Sequence, residues 1–213
     1  MYMELLYILL PFILLPVLIR YRVIPPAFRL VTLAWYVLVV FAYELSHSSL
    51  NELGLRSDNL QAGLLPFATC TLAMFLCLLL FSAILKTKKK FKWKKDPHFL
   101  FLFIPISIAQ QLIFQVYLLQ SLLEYTNPLL AIITTAALFG FLHTIYPRPW
   151  FNFLVTTAGG IVFASLYYLY PNILLASLSH MIVNVTAIYL GFFTMLTASG
   201  TPKVTSLNIF KSN

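Results

Sequence analysis

The chain is poor in charged residues, which make up only 9% of its 213 positions. A water-soluble domain carries about 25% charged residues, because polar groups have to cover its surface. With 61% hydrophobic residues, this chain cannot enclose its apolar side chains in a water-facing globule. The scarcity of charge therefore excludes an ordinary soluble domain and indicates that lipid surrounds most of the molecule.

Cysteine is equally scarce, since only Cys70 and Cys77 are present. Seven positions apart on one helix, their backbones would be separated by roughly 10 Å, which is too far for a disulfide. The pair therefore predicts two small apolar residues on one helix face and excludes a disulfide-stapled scaffold.

Long apolar runs fill most of the chain. A helix that crosses a bilayer needs about 20 predominantly apolar residues. Seven segments meet this requirement, at about 3–19, 29–46, 62–85, 98–121, 128–145, 151–169 and 172–194. The first ends in Arg20 and Arg22 without a small-residue cleavage site, so we interpret it as a retained anchor rather than a signal peptide. The predicted fold class is all-α, a polytopic membrane protein of about seven transmembrane helices.

Basic residues are distributed unevenly between the predicted loops. With the N-terminus outside, all but one of the 14 basic residues lie on the inner side, and the exception is Arg56. Basic residues concentrate on the cytoplasmic side of membranes, so the N-terminus is predicted to be out and the C-terminus in. The lysine-rich run 86–95 directly follows a span, which is typical of a topology signal that attracts anionic headgroups. We therefore expect membrane lipids rather than nucleic acid as its partners.

Polar side chains within the predicted spans are few and are concentrated in the last four. In lipid, such residues usually face the bundle interior or a water-filled cavity. Helical spacing groups them into three stripes, which are Gln110, Gln111 and Gln115; Phe139 and His143; and Ser177, His180 and Asn184. Their depths, at ~1.5 Å per residue, predict one mid-membrane cavity that opens toward the inner side. Ordinary hydrogen bonding between helices is the alternative interpretation.

Two histidines alone make neither a typical zinc site nor a serine-protease triad. A catalytic zinc usually has three protein ligands, and no carboxylate lies at this depth. His143 and His180 would be the ligands if a metal bound, but we expect no cofactor. Ser177 lies one turn from His180, yet no acid backs the histidine, so a serine nucleophile is not expected.

The polar residues fall into three motifs, Gln110-Gln-x-x-Phe-Gln115, Phe139-x-x-x-His143 and His180-x-x-x-Asn184. In order and spacing they resemble the Glu-Glu-x-x-Phe-Arg, Phe-x-x-x-His and His-x-x-x-Asn motifs of the CAAX-protease and bacteriocin-processing family of intramembrane proteases. The segment 51–56, Asn-Glu-Leu-Gly-Leu-Arg, is similar to one that often precedes the core of that family. The resemblance divides the chain into N-terminal helices with the basic loop at 1–95, core helices at 96–195 and a polar tail at 196–213.

The resemblance implies an α-helical membrane fold with a cavity open to one face, and hydrolysis of a peptide bond in a prenylated or membrane-bound protein. It further implies that the residue at position 110 activates water, while His143, His180 and Asn184 bind the water and stabilise the oxyanion. The flanking positions Gln111, Gln115, Phe139 and Ser177 would complete the site and the substrate cavity. If the protein is prokaryotic, it resides in the cell membrane.

The sequence departs from these motifs where the chemistry is most demanding. Both glutamate positions and the arginine position hold glutamine, which keeps the shape of glutamate but cannot take a proton. Two hypotheses follow. The chain is an intramembrane endopeptidase impaired in this form, with a neutral histidine as the remaining base, or it is a pseudoprotease with a binding, regulatory or bacteriocin-immunity role. Solute transport finds little support, because no inverted repeat and no buried charge are apparent.

Overall fold

The computed structural model describes residues 2–21, 23–24, 29–85, 98–146 and 148–192. Every regular element in these ranges is a helix and none is a strand, so the all-α prediction is confirmed. The helices are α1 (Tyr2–Arg20), α2 (Arg29–His47), α3 (Leu60–Ile84), α4 (His98–Gln111), a π-helix (Leu112–Leu119), α5 (Gln120–Tyr125), α6 (Pro128–Leu142), a 3₁₀ turn (His143–Ile145), α7 (Pro149–Leu169) and α8 (Ile173–Tyr189).

The helices correspond to the seven predicted segments. α4, the π-helix and α5 run on without a break and together form the fourth. Four stretches are long and apolar enough to cross a bilayer, namely Leu60–Ile84, Ile104–Tyr125, Pro128–Ile145 and Pro149–Leu169, and Leu6–Arg20 and Ile173–Tyr189 are shorter apolar helices. The chain is thus a polytopic membrane protein, while seven crossings and an outward N-terminus stay predictions. The basic run 86–95 and the tail 196–213 lie outside the described residues.

Two asparagines define where the core helices begin. The Oδ1 atom of Asn127 accepts the backbone N–H of Leu130 at 3.0 Å and caps α6. Asn172 caps α8 in the same way, through Leu175 at 3.1 Å. Such caps satisfy backbone donors that have no partner within the helix. The two caps therefore define the residues at which α6 and α8 begin.

The helices that carry the polar stripes pack together. α8 lies against both α3 and α4, and α6 lies against α7. The approach of α6 to α7 is close because of Gly140. A Cβ atom at Gly140 would lie 2.0 Å from the Thr157 hydroxyl and 2.8 Å from the Phe153 carbonyl oxygen. α7 in turn contacts α8, so α4 and the α6–α7 pair both lie beside α8.

Contacts between helix ends show which ends share a side. The Arg20 guanidinium donates to the backbone oxygen of Thr144 at 2.8 Å, which joins the end of α1 to the end of α6. At the opposite side, Asn59 at the start of α3 donates to the backbone oxygen of Pro171 at 2.9 Å. This arrangement agrees with the up-and-down order of the predicted spans. Both cysteines of α3 carry free thiols.

Candidate active site

A buried hydrogen bond joins α4 to α8. The Nε2 atom of Gln111 lies 2.6 Å from Nδ1 of His180, and both side chains are almost completely shielded. Because the Nε2 amide group of glutamine is a donor, Nδ1 of the imidazole accepts. Two of the residues singled out from the sequence, 69 positions apart, are therefore direct partners.

The neighbouring pair repeats this arrangement one turn further along α8. The Nδ2 atom of Asn184 donates to Oε1 of Gln110 across 3.5 Å, a long bond, and both side chains are half-buried. The four-residue spacing of His180 and Asn184 thus matches two adjacent glutamines of α4. These pairs define the observed register of the two helices at the site.

His143 reaches the same site from α6. It begins the 3₁₀ turn that ends this helix, and its buried Nδ1 donates to the backbone oxygen of Phe139 at 2.8 Å. The Phe139 ring packs against both histidines, with its centroid 4.6 Å from the His143 ring and 5.5 Å from the His180 ring. The predicted stripes of α4, α6 and α8 are therefore brought together.

The hydrogen-bond partners assign different proton positions to the two histidines. His143 donates from Nδ1 to a carbonyl oxygen, so its neutral ring carries the lone pair on Nε2. His180 accepts at Nδ1 from an amide, so its neutral ring carries the proton on Nε2. One imidazole is thus arranged as a proton acceptor and the other as a hydrogen-bond donor.

Gln115 and Ser177 are also buried, and each lies three or four positions from a site residue in the sequence, but each has a side-chain oxygen without a hydrogen-bond partner among the described residues. Gln115 lies within the π-helix, and Ser177 lies one turn before His180 on α8. Within the described part of the chain, the Gln115 Oε1, Ser177 Oγ and Gln111 Oε1 atoms are buried without a hydrogen-bond partner. Buried polar atoms normally have partners, so these three atoms mark an interior suited to a polar ligand or water. Ser177 does not hydrogen-bond His180.

Two aromatic side chains that were not among the predicted site residues complete the walls. Phe163 on α7 packs against the His180 ring at a centroid distance of 5.1 Å. Phe114, in the π-helix, packs edge-on against Phe139 at 5.1 Å. Phe114 is the phenylalanine of the Gln110-Gln-x-x-Phe-Gln115 motif, so the motif could have marked it. No sequence signal marked Phe163, because an apolar span gives every phenylalanine a similar context.

The described residues contain no group of three histidine, cysteine, aspartate or glutamate side chains able to hold a metal ion. His143 and His180 would be the only two ligands from the predicted site. Two imidazoles fall short of the usual three protein ligands of catalytic zinc. The donor set therefore does not fit a zinc centre.

These features define a polytopic helical membrane protein with a neutral site of two glutamines, two histidines and an asparagine. Residues 92–186 match the family model described as Type II CAAX prenyl endopeptidase Rce1-like. The match runs from just before α4 through most of α8, so the resemblance inferred from the motifs is confirmed for this part of the chain. No curated protein and no solved structure matches the chain.

Proposed function

We propose that the chain is a CAAX-endopeptidase-type membrane scaffold that binds an extended segment of a membrane-attached protein between α4, α6 and α8, and that its hydrolytic activity is impaired. The observation that carries the proposal is the bond from Gln111 to His180. In this bond the amide donates to the imidazole, and neither Gln111 nor Gln110, the position to which the resemblance assigns the activation of water, can accept a proton as a carboxylate would. General-base catalysis contributes typically 10²–10⁴-fold to rate, and the contribution of a carboxylate base is missing here.

The remaining groups still suit a peptide. The Nε2–H group of His180 and the amide of Asn184 are donors, which can bind a carbonyl oxygen and stabilise the oxyanion that forms when water attacks it. His143 keeps a lone pair on Nε2 and is the one group of the set arranged to take a proton from that water. Slow hydrolysis with His143 as base is therefore the residual activity we expect.

An apolar groove supports a lipid-modified partner. A space of about 300 Å³ lies between α3 and α8, lined by apolar side chains with Thr71 and Ser179 as its polar members. Ser179 directly precedes His180 on α8, so a hydrocarbon chain in this groove would contact the helix that carries His180. We propose that the partner is a prenylated or otherwise membrane-bound peptide, and that the protein resides in the cell membrane of a prokaryote with the site open to the cytoplasm.

The second candidate is a pseudoprotease that binds such a partner without cleaving it, in regulation or in immunity to a bacteriocin. The observation that favours it is the joint replacement at positions 110, 111 and 115. An unpaired ion within a membrane span is expensive, and the three neutral amides avoid it altogether. Binding without turnover is then the native role rather than a loss of function.

Cleavage of a prenylated peptide by the purified full-length protein tests both candidates. The forms compared are the chain as given, the triple variant Gln110→Glu/Gln111→Glu/Gln115→Arg, and that variant with His143→Ala. Gln120→Glu, on the same continuous helix, serves as the control for an added charge. We expect the triple variant to cleave about 10²–10⁴-fold faster than the chain as given, and His143→Ala to remove the gain.

Binding of a fluorescent prenylated peptide separates the two candidates. Equal affinity for the chain as given and the triple variant, with cleavage only by the triple variant, supports the pseudoprotease. Cleavage by the chain as given that His143→Ala abolishes supports the impaired enzyme. If the chain as given already matches the rate of the triple variant, the assigned role of the glutamines is wrong.

A further inference from the structure

The connection between α2 and α3 is an ordered structure rather than a free linker. Ser49 donates from its backbone N–H and its hydroxyl to the Glu52 carboxylate at 2.7 and 2.8 Å, which closes one turn. Leu53 is buried to 1% exposure, although Glu52 before it and Leu55 after Gly54 are exposed. Gly54 follows with a φ of 75°, a left-handed conformation that glycine adopts without strain. The segment 49–59 is called the α2–α3 loop below.

Three backbone carbonyls of this loop point at α7 and α8. The oxygen of Leu53 accepts the Tyr167 hydroxyl at 3.2 Å, and that of Gly54 accepts the backbone N–H of Ile173 at 3.0 Å. The oxygen of Arg56 accepts from Nδ2 of Asn172 at 2.9 Å. Because these three carbonyls accept hydrogen bonds from α7 and from the start of α8, the loop is held against both helices.

Asn172 uses its whole side chain in this contact and is fully buried. Its Oδ1 atom caps α8, while Nδ2 donates both to Arg56 and to Oδ1 of Asn59 at 2.9 Å. Asn59 returns a bond to the backbone oxygen of Pro171 at 2.9 Å. The loop and the two residues that precede α8 are thus joined by reciprocal hydrogen bonds from two side-chain amides.

We infer that the α2–α3 loop, through its hydrogen bonds to the start of α8, sets the register of α8 against α4. Asn172 is then the positioning residue for His180 and Asn184. His180 lies eight residues below Asn172, or ~12 Å along the helix. A slip of one residue would move α8 by ~1.5 Å and turn it by about 100°, which breaks the bonds to Gln110 and Gln111. The inference concerns only this register and holds whether or not the site cleaves a peptide.

The test measures the distance between α4 and α8 directly. Spin labels are attached to Ile108→Cys and Leu178→Cys, two exposed positions, in a Cys70→Ala/Cys77→Ala background of the full chain in lipid nanodiscs. Double electron–electron resonance then reports the distance distribution. We expect one narrow distance with the intact loop. Asn172→Asp keeps the cap but loses both donated bonds, and we expect a shifted or added distance.

Asn127→Asp is the matched control, because Asn127 caps α6 through the same atom but is exposed. Asn59→Ala leaves the α8 cap in place and removes only the hydrogen bonds that the Asn59 side chain makes with Pro171 and Asn172. It therefore tests the inference even if Asn172→Asp fails to fold. We expect Asn59→Ala to shift the distance and Asn127→Asp to leave it unchanged. If folded Asn59→Ala protein keeps the narrow distance, with only a lower melting temperature, the loop is merely structural and the inference is overturned.

Discussion

At Gln111, an amide stands where the resembling family has a carboxylate, and this difference decides which nitrogen of His180 carries the proton. The amide donates to Nδ1, so the imidazole proton lies on Nε2. A carboxylate at the same place can only accept, and it would draw the proton to Nδ1. Compared with a carboxylate, the amide at position 111 therefore reverses the direction of the hydrogen bond to His180 and also removes a charge.

This argument predicts the outcome of the single substitution Gln111→Glu. We expect the proton of neutral His180 to move from Nε2 to Nδ1, which ¹⁵N NMR of histidine-labelled protein detects through the chemical shifts of the two ring nitrogens. Gln120→Glu adds the same charge to the same continuous helix outside the site and should leave the His180 signals unchanged. An unaltered His180 spectrum in Gln111→Glu protein would show that the pair is not formed as described.

Gly140 provides a second prediction at the residue scale. A Cβ atom there would overlap the Thr157 hydroxyl and press on the Phe153 carbonyl, whereas a Cβ atom at Gly159 would meet nothing within 4 Å. We expect Gly140→Ala to destabilise the protein by about 1–3 kcal/mol through overpacking. Gly159→Ala should be neutral or stabilising by up to about 1 kcal/mol, because alanine favours a helix. Thermal unfolding in detergent compares the two, and equal melting temperatures would contradict the close packing of α6 on α7.

The polar members of the site could be predicted from the sequence, but its walls could not. Gln111, His143 and His180 stood out because polar residues are rare and expensive in a membrane span. Phe163 contacts the His180 ring just as closely, yet an apolar residue in lipid carries no such penalty, and Phe114 was marked only by its place in the first motif. The pairing of Gln111 with His180 also escaped prediction, because helical spacing groups residues within one helix and says nothing about partners across helices.

At the scale of elements, the helices followed from the lengths of the apolar runs, whereas the π-helix Leu112–Leu119 did not. This stretch contains neither glycine nor proline and is apolar nearly all round, so no periodicity marks a change of helical pitch. π-helical turns are frequent at functional sites. Here the π-helix directly follows Gln110 and Gln111 and carries Gln115, so the expected α-helical spacing between Gln111 and Gln115 does not apply.

The α2–α3 loop supplies a prediction about pH. Hydrogen bonds from Ser49 lower the pKa of Glu52 below its ordinary value of 4.5, and the bond from Arg56 lowers the pKa of Asp58 below 3.8. A lowered pKa in the folded state contributes stability that is fully present above the ordinary value and is lost as the pH falls through the lowered one. The loop should therefore keep its order from pH 8 down to about 5 and lose it only in stronger acid.

Amide hydrogen exchange of residues 49–58, corrected for the intrinsic effect of pH on exchange, measures this. Ser49→Ala removes the hydroxyl bond to Glu52 and should move the onset of loosening to higher pH. Loosening that already begins between pH 7 and 6 would mean that other groups control the loop.

For the molecule as a whole, an aromatic series connects helices that are distant in the chain. Phe12 of α1 packs on Phe114 at 5.2 Å, and Phe114 packs on Phe139, which in turn contacts His180. The first helix, which lies outside the matched segment 92–186, therefore supports the wall of the site. The sequence predicted the number of helical segments but not this arrangement, because packing between apolar helices in lipid depends on shape rather than on hydrophobicity.

The orientation of the assembly provides the last prediction. The ends of α1 and α6 share one side through Arg20 and Thr144, and the α2–α3 loop shares the other with the turn before α8. Basic residues are concentrated on the first of these sides in the predicted topology, so it should face the cytoplasm. In a background without Cys70 and Cys77, we expect Ser57→Cys to react with a membrane-impermeant maleimide in intact cells, and Lys89→Cys to react only after permeabilisation. The opposite labelling pattern would show that the protein has the inverted orientation. The predicted opening of the site would then lie on the outer face, where a cytoplasmic prenylated tail could not reach it.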